Sequence, residues 1–235
     1  MENEDLSNMH SDAGRYANAA LSPIEAAAVE WLDGFYQLEH VLCARTWVMK
    51  LCPEASAEVK LATLVHDAER HFPGGPTSTP SDGFDDPDYL FAHSTRSADF
   101  VEKWLCERSP APDEAFIRRV RRLVLRHEIG GNWEADFVQA ADSLSFLETS
   151  DWLTVEWVRS GRYSIEQARE KLDYSVERIR PSVALAAALP LFESALHALE
   201  SAHETSIDVK RRRQIASSRS LLLGLPPGRA DRRPA

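Results

Sequence analysis

An apolar run, Leu61-Ala62-Thr63-Leu64-Val65, leads without a break into His66-Asp67. A helix of that composition belongs in the interior, and it carries an imidazole and a carboxylate in with it. Burying either group is costly unless it is paired or ligated, so the rest of the fold must bring partners to this point. An adjacent His and Asp at a helix end can present both groups to one metal ion, or let the carboxylate bridge two. The dipeptide is common by itself; the apolar helix before it gives it weight.

The surrounding sequence reads as helix throughout. Ser22-Pro23-Ile24-Glu25 is a capping box with proline at the first helical position. It predicts a helix through Trp31 and Leu32. Further helices are expected over Leu38 to Leu51, from near Glu54 to His66, from Asp88 or Tyr89 to Glu107, and from Asp113 to the Gly130-Gly131-Asn132 stop. Another follows from about Glu134 to Glu148. After Trp152 come a short helix, a turn at Gly161 and a second capping box at Ser164-Ile165-Glu166-Gln167. Pro181 then precedes a last helix, in which Pro190 is expected to kink the axis. Phe72 to Pro87 is rich in Gly and Pro and reads as a long loop, of the kind that is usually functional or disordered: a lid over the site, or a surface insertion. No segment alternates as a strand does. The predicted class is all-α, a helical bundle with extra C-terminal helices.

The 235 residues suit one helical domain, taken as 22–205, with a flexible tail over 1–21 and a basic, disordered tail over 206–235. The net charge of -10 argues against broad nucleic-acid or anionic-membrane binding, apart from a weak contribution from the basic tail. The three cysteines read as reduced thiols, and no zinc ribbon spacing is present. No signal pattern and no bilayer-spanning run are apparent, so a cytoplasmic protein acting on a small molecule is expected. Oligomeric state stays open.

Two further positions repeat the argument made for His66-Asp67. Phe116, Val120, Leu123 and Val124 form one apolar helix face, and His127 lies next along it. Asp142 is a carboxylate inside the largely apolar stretch Gln139 to Leu144. In chain order the sequence gives Glu39-His40, His66-Asp67, His93 with Ser97-Ala98, His127-Glu128 and Ala141-Asp142.

This order resembles the HD superfamily of metal-dependent enzymes. The core pattern, H…HD…D, falls on His40, His66, Asp67 and Asp142, and His93 and His127 are similar to the two extra histidines of dinuclear members. The resemblance covers about Leu38 to Glu148 and leaves the C-terminal helices outside. It implies an HD-type bundle holding two divalent or redox-active metal ions, iron or manganese first, with zinc or cobalt also compatible with mixed imidazole and carboxylate ligands. In the hydrolytic reading it implies, Asp67 bridges two cations and a metal-activated hydroxide attacks a small phosphorylated substrate, a nucleotide foremost. The same ligands imply an alternative, a mixed-valent di-iron oxygenase resembling myo-inositol oxygenase and cleaving a C–C, C–P or C–N bond. A third reading is a degenerate HD sensor or binding domain.

The sequence departs from the family at two places. The frequent continuation HDxGK is here His66-Asp67-Ala68-Glu69-Arg70. Arg70 is a candidate substrate anchor in place of the lysine, since a guanidinium suits bidentate contact with phosphate or carboxylate. The Gly-Tyr-Pro signature of cyclic-di-GMP phosphodiesterases is missing after Glu128, which disfavours that substrate. Glu69 and Glu128 are candidate proton shuttles, or groups that orient the neighbouring ligands. Tyr174 and Arg178, one helical turn apart, are candidates to cover the pocket from the C-terminal half. His71 opens the long loop and reads as solvent-facing, and the six tryptophans read as packing residues.

Overall fold

The computed structural model describes residues 20–76 and 83–222, with side chains through residue 203. All regular structure among them is helical, and no strand occurs. We number the helices α1 (Pro23–Trp31), α2 (Leu38–Leu51), α3 (Ala57–Val65), α4 (Pro87–Cys106), α5 (Glu114–Val124), α6 (Trp133–Thr149), α7 (Asp151–Ser160), α8 (Ile165–Glu177) and α9 (Ser182–Leu222). A single 3₁₀ turn, Ala68–His71, follows the His66-Asp67 pair.

Local chemistry explains most of the boundaries. Ser22 and Ser164 both form the capping boxes that their sequences predict. Ser56, Asp86, Asp113 and Asn132 each cap a helix by accepting from a backbone N–H. Glu25 has a second role beyond its cap: its carboxylate lies 2.5 and 3.1 Å from the guanidinium of Arg45, a buried pair that ties α1 to α2. The helix containing Val120 stops at Val124, earlier than the expected glycine stop. From there the chain tightens into i→i−3 turns, with Arg126, His127 and Ile129 donating to Leu123, Val124 and Arg126.

Two apolar cores result. The first joins α1 to α6 around Leu32, Val41, Leu61, Leu64, Val101, Val120 and Val124. The second, around Leu144, Leu147, Leu172, Ala188 and Leu199, packs α8 and α9 against the far end of α6. Cys43 is buried, Cys52 packs half-buried against the first core, and none of the three cysteines forms a disulfide.

The C-terminal helix departs from expectation twice. It continues with Pro190 inside it to Leu222, past residue 206, where a disordered tail was expected. Residues 1–19, most of the expected N-terminal tail, and residues 223–235 lie outside the described residues, as does His10. Its segment Ser182–His203 is also long and apolar enough, by length and composition, to cross a membrane, although the sequence reading found no such run. The many Ala and Leu residues carry that average past the charges of Glu193 and Glu200. Ala184, Ala188, Ala195 and Leu199 are buried in the second core, while Val183 and Leu189 are exposed.

Candidate metal centre

Six side chains from five parts of the chain meet at one point. His40 comes from α2, His66 and Asp67 from the end of α3, His93 from α4, His127 from the turns after α5, and Asp142 from α6. All six are buried, and His66, His93 and His127 are fully so.

Each imidazole is oriented by what its Nδ1 meets. Nδ1 of His66 donates to the Thr63 carbonyl at 2.8 Å, and Nδ1 of His127 to the Val124 carbonyl at 2.7 Å. Nδ1 of His93 donates to Glu69 Oε1 at 2.8 Å. Nδ1 of His40 lies 2.8 Å from the Ser145 hydroxyl, which gives its own proton to the Asp142 carbonyl and so accepts from the ring. With the proton of every neutral ring committed to Nδ1, all four Nε2 atoms turn inward as lone-pair donors.

These inward atoms face one another and the carboxylates of Asp67 and Asp142, with Glu128 Oε1 beyond, 3.6 Å from His127 Nε2 and 3.9 Å from His93 Nε2. Nε2 of His40 and Nε2 of His66 lie 3.2 and 3.3 Å from Asp142 Oδ1. Nε2 of His93 lies 2.9 Å from Asp67 Oδ1 and 3.2 Å from Nε2 of His127. Asp67 Oδ1 is also 3.9 Å from Nε2 of His66 and 3.8 Å from Nε2 of His127. Nε2 of His66 is buried and makes no well-directed hydrogen bond at all. Donor atoms about 2.0 to 2.2 Å from one cation stand about 3.0 Å apart at octahedral angles and about 3.4 Å apart at tetrahedral ones. The closest pairs here fall in that range. The residues therefore fit a metal ion, in two groups that share Asp67: His40, His66 and Asp67, and Asp67, His93 and His127.

Electrostatics agree. Burial alone would raise the Asp67 carboxyl, but Arg70 and His66 outweigh it and hold it well below the usual range. Asp142 is held low in the same way, by Arg178 and His66 against the effect of burial. Burial opposes charge on His66, yet Asp67 and Asp142 push it up to about 9. His127, where burial dominates, is pushed down to about 4. Protons held on His66 stand where a cation would sit, and metal binding would release them.

Around this cluster lies a cavity of about 340 Å³, lined on its floor by His40, Asp67, Glu128 and Asp142. Glu128 Oε1 faces the cluster, 3.6 Å from Nε2 of His127, while Oε2 pairs with Arg178. Arg70 also lines the cavity, its Nε 3.0 Å from Asp67 Oδ2. Arg178 is nearly buried and fully engaged: Nη2 reaches Asp142 Oδ2 at 2.5 Å, Nε donates to Ser143 at 2.7 Å and Nη1 pairs with Glu128. It thus positions two carboxylates as well as lining the cavity. Tyr174 lines the wall beside it.

Glu69 lies elsewhere. It sits behind His93, outside the cavity, and acts as a positioning residue rather than a proton shuttle facing a substrate. A side chain at position 75 would meet Glu69 Oε2 at 2.2 Å, so Gly75 lets the loop cross directly over it. Replacing Glu69 with glutamine is expected to weaken metal affinity about 10- to 100-fold, as changes behind a ligating histidine do. A competition titration against a metal chelator measures this, and a change below twofold would assign Glu69 to packing alone.

His71 packs edge-on against Phe35 and Phe72, away from the cavity. The tryptophans divide: Trp31 stacks on Trp104, but Trp157 lines the cavity and stacks with Phe84. Residues 77–82 of the long loop lie outside the described residues. Several cavity residues escaped the sequence reading, among them Tyr36, Phe84, Tyr89, Arg162, Tyr163 and Lys171. For Lys171 a signal existed, because it shares a helix face with Tyr174 and Arg178 at the i, i+3, i+7 spacing.

The sequence matches no family model, no curated protein and no solved structure.

Proposed function

We propose that the chain is a metal-dependent hydrolase of small phosphorylated molecules, built on an HD-type ligand set. The observation that carries the reading is the donor set itself: four imidazole Nε2 atoms and two carboxylates turned toward one another on the floor of a cavity, with every Nδ1 held elsewhere. His40, His66 and Asp142 would hold one cation, His93 and His127 a second, and Asp67 both. Divalent cations in that position supply a nucleophile at neutral pH and neutralise charge building on a phosphoryl group.

The chain's own residues do the rest. Arg70, at the cavity edge between Asp67 and Tyr89, offers its guanidinium to the phosphoryl oxygens. Glu128 faces the cluster from the cavity side and takes up or returns a proton there. Arg178 holds the Glu128 and Asp142 carboxylates in place. Phe84 stacks on Trp157, Tyr163 packs tilted against both, and together they offer aromatic surface to a substrate group such as a nucleotide base.

The test is metal analysis of protein purified without oxygen, together with phosphate release from 4-nitrophenyl phosphate and nucleoside monophosphates. Two equivalents of manganese, zinc or iron and metal-dependent phosphate release are expected. His127→Ala should keep the fold and lose roughly half the bound metal; unchanged stoichiometry would mean that His127 is structural. A mixed-valent di-iron EPR signal after partial oxidation, without phosphate release, would turn the reading to the oxygenase. An intact fold that binds no metal would leave the sensor.

A further inference from the structure

The charges lining the cavity divide into two sets. Those on the floor are matched: Arg70 with Asp67, Arg178 with Asp142 and Glu128, and His40 with Asp142. The same cavity is also lined by Lys171 on α8, which shares the Tyr174 ring with Arg178, and by Arg162 in the turn before that helix. Among the described residues neither has a carboxylate partner, and the Lys171 ammonium has no hydrogen-bond acceptor. Three rings surround it instead: Phe146, Tyr174 and Phe84, with centroids 4.9, 5.2 and 5.6 Å from Nζ. Arg162 lies over the ring of Tyr163, 5.7 Å from its centroid.

Aromatic faces attract a cation but offer its N–H groups no acceptor. Lys171 therefore keeps its donors aimed into the cavity with nothing in the protein to receive them. Burial, with Arg178 nearby, pushes its ammonium down to about 8, against the raising effect of Glu128 and Asp142. An anion arriving beside it would stabilise the charged form and satisfy its donors together. Phe84, Trp157 and Tyr163, packed on one another, add aromatic surface to the same cavity lining.

We propose that Lys171, supported by Arg162, binds a second anionic group of the substrate, a carboxylate or phosphate, separate from the group held at the metal cluster. The substrate is then a small molecule with two anionic ends joined by a flat or apolar spacer. This rests on the phosphoryl reading above and narrows it, since a nucleoside monophosphate offers this end only a neutral base. Lys171 is a specificity-determining residue here: it holds the substrate and takes no part in the bond that breaks.

Calorimetric binding of two non-hydrolysable probes tests the proposal: phenylphosphonate and 4-carboxyphenylphosphonate, each with and without manganese. Wild type is expected to bind the carboxylated probe at least about tenfold more tightly, as a charge-assisted hydrogen bond allows. Lys171→Met should bring the ratio of the two affinities to within about twofold of one, and Lys171→Arg should keep it. A wild-type ratio near one, or a ratio that survives in Lys171→Met, overturns the subsite. If manganese does not strengthen phenylphosphonate binding but the ratio still depends on Lys171, the phosphoryl reading falls and the subsite stands. No measurable binding of either probe sinks both.

Discussion

Asp67→Ala is expected to leave the protein folded, strip both metal groups and lower turnover by at least about a thousandfold. That factor corresponds to the several kcal/mol that metal charge contributes at a phosphoryl centre. The effect should exceed that of any single histidine, because Asp67 is the one residue common to both groups. Loss of the carboxylate also removes the acidic partner of Arg70 and leaves Nε2 of His93 facing Nε2 of His127 at 3.2 Å with only Glu128 Oε1 nearby. Metal per chain, measured after anaerobic purification, is the primary readout, and phosphate release from 4-nitrophenyl phosphate is the second. Asp67→Asn, which keeps the shape but not the charge, should fall with it. Full metal content in either variant would remove Asp67 from the ligand set.

The second large effect concerns stability. Arg178→Met should destabilise the metal-free protein by about 3–5 kcal/mol, the usual consequence of removing one partner from a buried ion pair. For a chain of this size that lowers Tm by roughly 6–20 °C. The cause is specific: Asp142 is buried and Glu128 nearly so, both meet the Arg178 guanidinium, and they face each other's charge once it is gone. A divalent cation at the cluster would neutralise part of that charge, so added manganese should recover a larger share of Tm in the variant than in wild type. Thermal melts with and without manganese measure both. Equal drops in the two conditions would mean that Arg178 acts only through packing on Tyr174 and Ser143.

Much of this site was legible in the sequence because its residues contradict their surroundings. His66, Asp67 and Asp142 are ionisable groups in apolar helices, and His127 continues an apolar face. Such positions can be found without knowing the fold, since burial demands a partner. Helix boundaries were readable where side chains cap them, as at Ser22 and Ser164. What stayed hidden depends on distance in space. Glu69 looks like a second acid beside a ligand, and only its contact with His93, 24 residues away, shows which side of the imidazole it serves. Lys171 shares a helix face with Tyr174 and Arg178, but its setting comes from rings that α6 and the long loop bring to it. The end of the α5 helix was misplaced because glycines mark where a chain can turn, whereas the turns around His127 begin earlier.

The four imidazoles do not depend on their neighbours in the same way. His66 caps α3, and His127 follows the end of α5, so each finds a backbone carbonyl at a helix terminus, where the last carbonyls lack amide partners within the helix. His40 and His93 sit inside α2 and α4, where backbone carbonyls are already used, and depend on Ser145 and Glu69 instead. One pair of rings is thus wired into the main chain, and no replacement of an accepting side chain can rotate it. The other pair hangs on two replaceable residues. Drift at positions 69 and 145 can retune how strongly the cluster grips a cation, one ring at a time, while His66 and His127 keep a foothold that mutation of neighbours does not erode.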